Sequence, residues 1–164
     1  MSSTLQRTTP LRVLFLGQVI LRKGIQYLIE VARLLRGEKI HFDIVGPIGN
    51  SEEAVKSAPL NMSFHGPISR DKAPECFGNA DLFALTQLEA MAYGLPVITT
   101  PNCGQVVTDG VYGMIVPTRD AVALAGAIRS LIKDPVRLQA MSLATRAKVS
   151  QFSLSVLGEN LRER

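Results

Sequence analysis

The sequence predicts an α/β domain built on a doubly wound parallel sheet of about six strands. Three observations predict it. Short apolar runs rich in β-branched residues alternate with segments of helical period along most of the chain. The first three of those runs close on glycine, at Gly17, Gly46 and Gly66. The chain has 164 residues, the size of one domain with a substantial core.

The elements follow in order. Residues 1–11 read as a linker, and the first strand is RVLFLG, Arg12–Gly17. A helix over Ile25–Arg36 sets Ile25, Leu28, Ile29, Ala32 and Leu35 on one face, and Gly37 stops it. The second strand is Ile40–Gly46, followed by a turn at Pro47–Asn50. Ser51 caps a short helix that carries Glu52 and Glu53 in its first turn. The third strand is Asn61–Gly66, and a brief helix follows with Ser69 as its cap. DLFAL, LPVITT and YGMIVP supply strands four to six. Three helices are expected at the end, over Asp120–Lys133, Pro135–Val149 and about Ser153–Arg162. Pro135 suits a first helical turn. Residues 12–150 thus form a Rossmann-like core, and 151–164 a terminal helix.

Composition narrows the class. Hydrophobic content of 46% with 20% charged residues is that of a globular protein. Cys76 and Cys103 stand apart, with no CxxC and no histidine at ligand spacing, so both are expected as reduced thiols in a cytosolic protein. His41 and His65 lie inside short apolar runs and are expected on strand faces, not on a metal. Arg12 interrupts the only apolar run near the start, so no signal peptide is read there. No run approaches the roughly 20 apolar residues of a membrane span. A net charge of +4 favours phosphates, nucleotides or an anionic membrane surface. Aromatics at 5% and the lack of Trp argue against a nucleic-acid stacking platform.

Glycine at the carboxyl end of a parallel strand lets the backbone turn sharply and lets a ligand approach. Three of them at one sheet edge favour a phosphate or nucleotide crevice. The chain has neither GxGxxG nor GxxxxGK[ST], so the dinucleotide fold and the P-loop are not signalled.

Five segments occur in an order and spacing that resemble a known family: LGQVILRKGIQYLIEVARLL, FDIVGP, MSFHGPISRDKAPECFGNADLF, LEAMAYGLPVITT and VVTDGVYGMIVPTRD. Together they resemble the donor-binding C-terminal half of a family-4 retaining glycosyltransferase of the GT-B type. The resemblance implies a single donor-binding domain whose ligand is a nucleoside-diphosphate sugar, such as a UDP- or GDP-sugar. It implies no cofactor and no metal. An N-terminal, acceptor-binding half would belong to the whole protein, which makes this chain a piece of a longer one. The implied setting is cytoplasmic, with peripheral contact to an inner membrane surface through Arg129, Lys133, Arg137, Arg146 and Lys148 as one option and a solvated helix face as the other.

The same resemblance assigns residues. Lys23, just before Gly24, is similar to the family lysine that contacts the diphosphate. Its place beside a helix N-terminus suits an anion in any case. Glu89 is similar to the second glutamate of the family's E-x7-E pair, which holds the ribose hydroxyls. Gly17, Gln18 and Arg22 fall in the phosphate-facing loop, Pro67 and Ile68 in the segment that meets the base, and Leu85 and Thr86 at the turn after strand four. Gln18 departs from the family's usual arginine and loses its charge. Gln105 departs from an acidic residue.

The junction DLFALTQLEA is too short for the family pattern. Counting back eight from Glu89 reaches Asp81, yet NADLF equally copies the start of strand four, which would put Asp81 at the other end of the sheet. The strand reading is preferred, so a loop with the first glutamate is expected to be missing between about Leu82 and Thr86. Other readings are a non-catalytic nucleotide-binding module and a fragment of a GT-B-like nucleotide-sugar epimerase. A receiver-like domain would need an acidic cluster that is not there.

Overall fold

Six parallel strands form one sheet in the order β3-β2-β1-β4-β5-β6. They are β1 (Leu11–Leu16), β2 (Ile40–Val45), β3 (Met62–Gly66), β4 (Leu82–Ala84), β5 (Val97–Thr99) and β6 (Gly113–Ile115). The computed structural model describes residues 9–49, 52–84, 90–91, 93–101 and 107–162, with side chains to residue 151. Helices α1 (Ile25–Leu34), α2 (Glu52–Lys56), α3 (Ala73–Gly78), α4 (Ala121–Lys133) and α5 (Pro135–Arg162) complete the described elements.

The sheet centre explains why β1 and β2 read as unbroken apolar runs. They pair in register over six residues, Leu11 opposite Ile40 through Leu16 opposite Val45, and both faces are covered. One core holds Val13, Phe15, Leu28, Phe42, Ile44 and Ile128, between the sheet and the layer of α1 and α4. The other holds Leu14, Val45, Phe77, Phe83 and Val97 on the opposite face. Cores on both faces make the sheet doubly wound, as expected.

Helix α1 buries the predicted face: Ile25, Leu28, Ile29, Ala32 and Leu35 are each at most 3% exposed. It ends at Leu34, earlier than expected, and Gly37 sits beyond it in the left-handed region at φ 93°. Strands β4, β5 and β6 are only three residues each, shorter than their apolar runs. Leu95 and Val116 are buried just outside the ladders, so burial extends the apolar signal past the pairing. Ser69 is extended with no side-chain cap bond, and a single 3-10 turn at Arg70–Lys72 leads into α3. Ser51 lies outside the described residues.

The largest correction concerns the end of the chain. The two expected helices, Pro135–Val149 and Ser153–Arg162, are one continuous helix, α5. The segment VSQFSLS contains neither Gly nor Pro to stop it. The Ser150 hydroxyl donates to the Arg146 carbonyl at 3.1 Å, so this serine is satisfied inside the helix. Nor is the late basic set a free stripe. Arg129 donates to Glu38 at 3.3 Å, Lys148 lies 5.8 Å over the Tyr112 ring, and Arg146 packs against Gly94.

The histidines lie on strand faces near the amino-terminal edge of the sheet. His65 Nε2 is 2.9 Å from Asp43 Oδ1, and His41 Nε2 is 2.8 Å from Ser63 Oγ. Arg12 donates from Nε and Nη2 to Asp43, which is 8% exposed. Among the described residues no group of histidine, cysteine and carboxylates has the arrangement of a metal site. Cys76 is a half-buried free thiol, and burial, then the charges of Glu75 and Asp43, push its pKa up and make it a poor nucleophile. Cys103 lies outside the described residues. No described helix is long and apolar enough to cross a membrane.

Candidate functional site

The sheet order reverses between β1 and β4, and ligands of open parallel sheets bind at the carboxyl ends of the strands beside that point. Here the backbone is closely drawn together. Gly17 donates its N–H to Val45 and Gly46 donates to Gly66, at 2.9 Å each. Gly46, at φ 143°, lies so near the Gly17 carbonyl that any Cβ would strike it. The strand-end glycines therefore make a tight, side-chain-free rim where β1 and β2 finish.

Beyond Gly17 the chain forms a short bridge, with Val19 paired to Ile48, and then a 3-10 turn at Leu21–Lys23. Gly24, left-handed at φ 85°, ends that turn and caps α1. This kink is why the KG pair stands here: glycine takes the left-handed bend and leaves Lys23 at the mouth of a helix N-terminus. The Gly24 cap brings no side chain to the first amides of α1.

A cavity of about 570 Å³ opens at this point. Its walls are the turn bearing Arg22 and Lys23, the start of α1, the end of β5 at Thr99 and Thr100, and the segment from Val116 to the start of α4. Asp120 caps α4, accepting from the Ala123 N–H at 2.8 Å, so its carboxylate is committed to the helix. Arg22, Lys23 and Arg119 are the cations of the lining.

The structure thus unites two of the site residues read from the sequence, Arg22 and Lys23, in one cavity. Gly17 and exposed Gln18 follow β1 directly and stand outside its lining. Pro67 and Ile68 follow β3, two strands away across the sheet; Pro67 is exposed, while the Ile68 side chain packs on the second core. Glu89, Leu85 and Thr86 lie outside the described residues, as does the rest of the short junction. Asp81 is described, and its place is decided. Its carboxylate accepts from the Arg12 N–H at 2.9 Å and its own N–H donates to Arg12, at the amino end of β4. That is the edge opposite the cavity.

Sequence reading missed Thr99, Gln26 and Arg119. Thr99 belongs to a run that reads simply as strand, and nothing about an arginine announces a left-handed φ of 57°. The sequence profile of the glycosyl transferases group 1 matches residues 10–134. The chain belongs to that family. This glycosyltransferase chain is 27% identical to the amylovoran biosynthesis glycosyltransferase AmsK of Erwinia amylovora, over 94% of this chain and 44% of that protein. It is 26% identical to the D-inositol 3-phosphate glycosyltransferase of an Arthrobacter strain, over 85% of this chain and 38% of that one. The chain therefore spans less than half the length of these curated relatives. Among solved structures, Anabaena HepE in complex with UDP superposes with a TM-score of 0.78 at 21% identity, covering 95% of this chain and 50% of that one. At that identity the match speaks for the fold. The alignment with AmsK runs over 180 positions against 164 residues, so AmsK carries residues that have no counterpart here.

Proposed function

We propose that this glycosyltransferase domain binds a nucleoside-diphosphate sugar, as the donor-binding C-terminal part of a family-4 retaining enzyme. The observation that carries the reading is the meeting of Lys23, Arg22 and the start of α1 in one cavity at the carboxyl edge of the sheet. The UDP held by HepE, a protein of the same fold, supports it. As the bond from sugar to diphosphate breaks, negative charge grows on the leaving oxygens. Cations fixed beside them stabilise that state more than the ground state. Lys23 and Arg22 are assigned this role, with retention of configuration and without a metal ion. Gly17, Gln18, Pro67 and Ile68 are assigned to backbone and polar contacts along the nucleotide, Glu89 to the ribose, and Leu85 and Thr86 to the turn beside it.

The test is calorimetry with UDP, GDP and the matching monophosphates. The diphosphate should bind more tightly than the monophosphate. Lys23→Ala should weaken it by about 1.5–3 kcal/mol, the range for hydrogen bonds to charged groups. Equal affinity for mono- and diphosphate, unchanged by Lys23→Ala, would contradict the assignment.

On their own, the 164 residues are expected to bind donor without passing sugar to an acceptor. Placing both substrates together supplies much of the barrier reduction, and the acceptor is assigned to the other half. Acceptor-dependent release of nucleoside diphosphate by the purified chain, followed with a coupled assay, would overturn this.

A second reading, a non-catalytic nucleotide-binding module, is favoured by the position of Asp81 at the amino edge. That position removes the one described carboxylate that spacing offered as a stand-in for the family's first glutamate. The two readings part in the whole protein: the first expects sugar transfer, the second expects donor binding with none.

A further inference from the structure

The cavity holds more than the two cations read from the sequence. Thr99 lines it at 2% exposure, and its Oγ1 has no hydrogen-bond partner; the Oε1 of Gln26, also on the wall, has none either. Buried polar atoms are seldom left unpaired, since each such group costs the free energy of its lost hydration. Two unpaired atoms on one wall mark a place built for a polar occupant. Arg119 stands on the same wall with a left-handed backbone, φ 57°, an unfavourable conformation for a residue with a side chain. Neither Arg119, Arg22 nor Lys23 has an ion-pair partner among the described residues. Both helix caps, Gly24 of α1 and Asp120 of α4, line the space, so two helix N-termini open onto it. The only carboxylate on the wall, Asp120, is already held by its cap bond.

We propose that this cavity is a phosphate-oxyanion pocket in which Arg119 and Thr99 act together with Lys23. The Thr99 hydroxyl donates to one oxygen, and the guanidinium of Arg119 offers the paired donors that suit a phosphate. The Gln26 amide, turned end for end, presents its NH2 group instead of its unpaired oxygen. The identity of the occupant as the donor's own diphosphate rests on the function proposed above; the pocket itself does not. A free phosphate, or one carried by a second ligand, has the same chemistry.

Two variants test it. Arg119→Gly removes the guanidinium and places glycine where its backbone is at ease, so the melting temperature should stay level or rise. Thr99→Val keeps the shape and removes the unpaired hydroxyl, so the fold should tolerate it. Calorimetry would use UDP, GDP, pyrophosphate and inorganic phosphate. The expected result is about 10-fold weaker UDP or GDP binding in Arg119→Gly and a smaller loss in Thr99→Val. Pyrophosphate should compete with the nucleotide if the donor's diphosphate is the occupant. Non-competitive binding of inorganic phosphate that depends on Arg119 keeps the pocket and gives it a second ligand. Phosphate or pyrophosphate binding that depends on Arg119, with no nucleotide binding, upholds the pocket while the donor reading fails. Nucleotide binding at wild-type strength in both variants, or no binding of any of the four probes, overturns the pocket.

Discussion

Gly46→Ala is expected to lower stability by about 3–5 kcal/mol, in the upper tail of single substitutions. The new methyl group would land on the Gly17 carbonyl, and φ 143° is itself unfavourable for alanine. The obstacle is backbone on both sides, so no rotamer change relieves it. Gly17 and Gly46 each bond onward to the next strand, and moving one disturbs β1, β2 and β3 together. Domains of this size hold only about 5–15 kcal/mol in total, so much of the native margin would go. Urea unfolding measures it. A midpoint close to that of the unsubstituted chain would mean that β1 and β2 do not end in the close approach described. The same substitution should weaken nucleotide binding further than stability alone requires, because the rim it distorts carries Lys23.

Phe83→Ala should cost about 3–5 kcal/mol by a different route. Phe83 is fully buried in the middle of β4, with its ring centroid 5.9 Å from that of Phe77, which in turn stacks on Tyr93 at 4.6 Å. These rings hold α3 and the residues after β4 to the second face of the sheet. A cavity there has backbone on the sheet side and cannot collapse cheaply. Chemical denaturation of the variant, read by circular dichroism, checks the magnitude. A loss under about 1 kcal/mol would show that this face is loosely packed.

What could be read from the sequence divides along physical lines. The segment from Leu11 to Val45 was legible because two strands buried on both faces and one amphipathic helix leave strong periodic signals. There only the helix end was misplaced, by the residues just before Gly37. The end of the chain was misread because serines after Val149 looked like a break, whereas a serine can bond back to the preceding turn and let a helix run on. The lengths of β4, β5 and β6 were overstated because burial, unlike pairing, continues past the strand ends. At the site, Arg22 and Lys23 were legible because they sit next to each other before a glycine that bends the chain. Thr99 and Arg119 were not, since they reach the cavity from β5 and from the start of α4, far along the chain, and tertiary packing alone unites them with α1. Asp81 shows the reverse case. Its spacing from Glu89 fitted a ligand role, and the parallel pairing of β4 with β1 decides against it.

The central claim, that a nucleoside diphosphate is held at the carboxyl edge by the turn after β1, is most directly tested by amide chemical-shift mapping on the isotope-labelled chain during titration with UDP or GDP. The account predicts that the largest changes fall on Gly17, Lys23 and Gly24 and on the start of α1, with Thr99 and Arg119 following if the phosphates reach the cavity. Changes centred on Arg12, Asp43 and His65 at the amino edge, or none at saturating nucleotide, would contradict it.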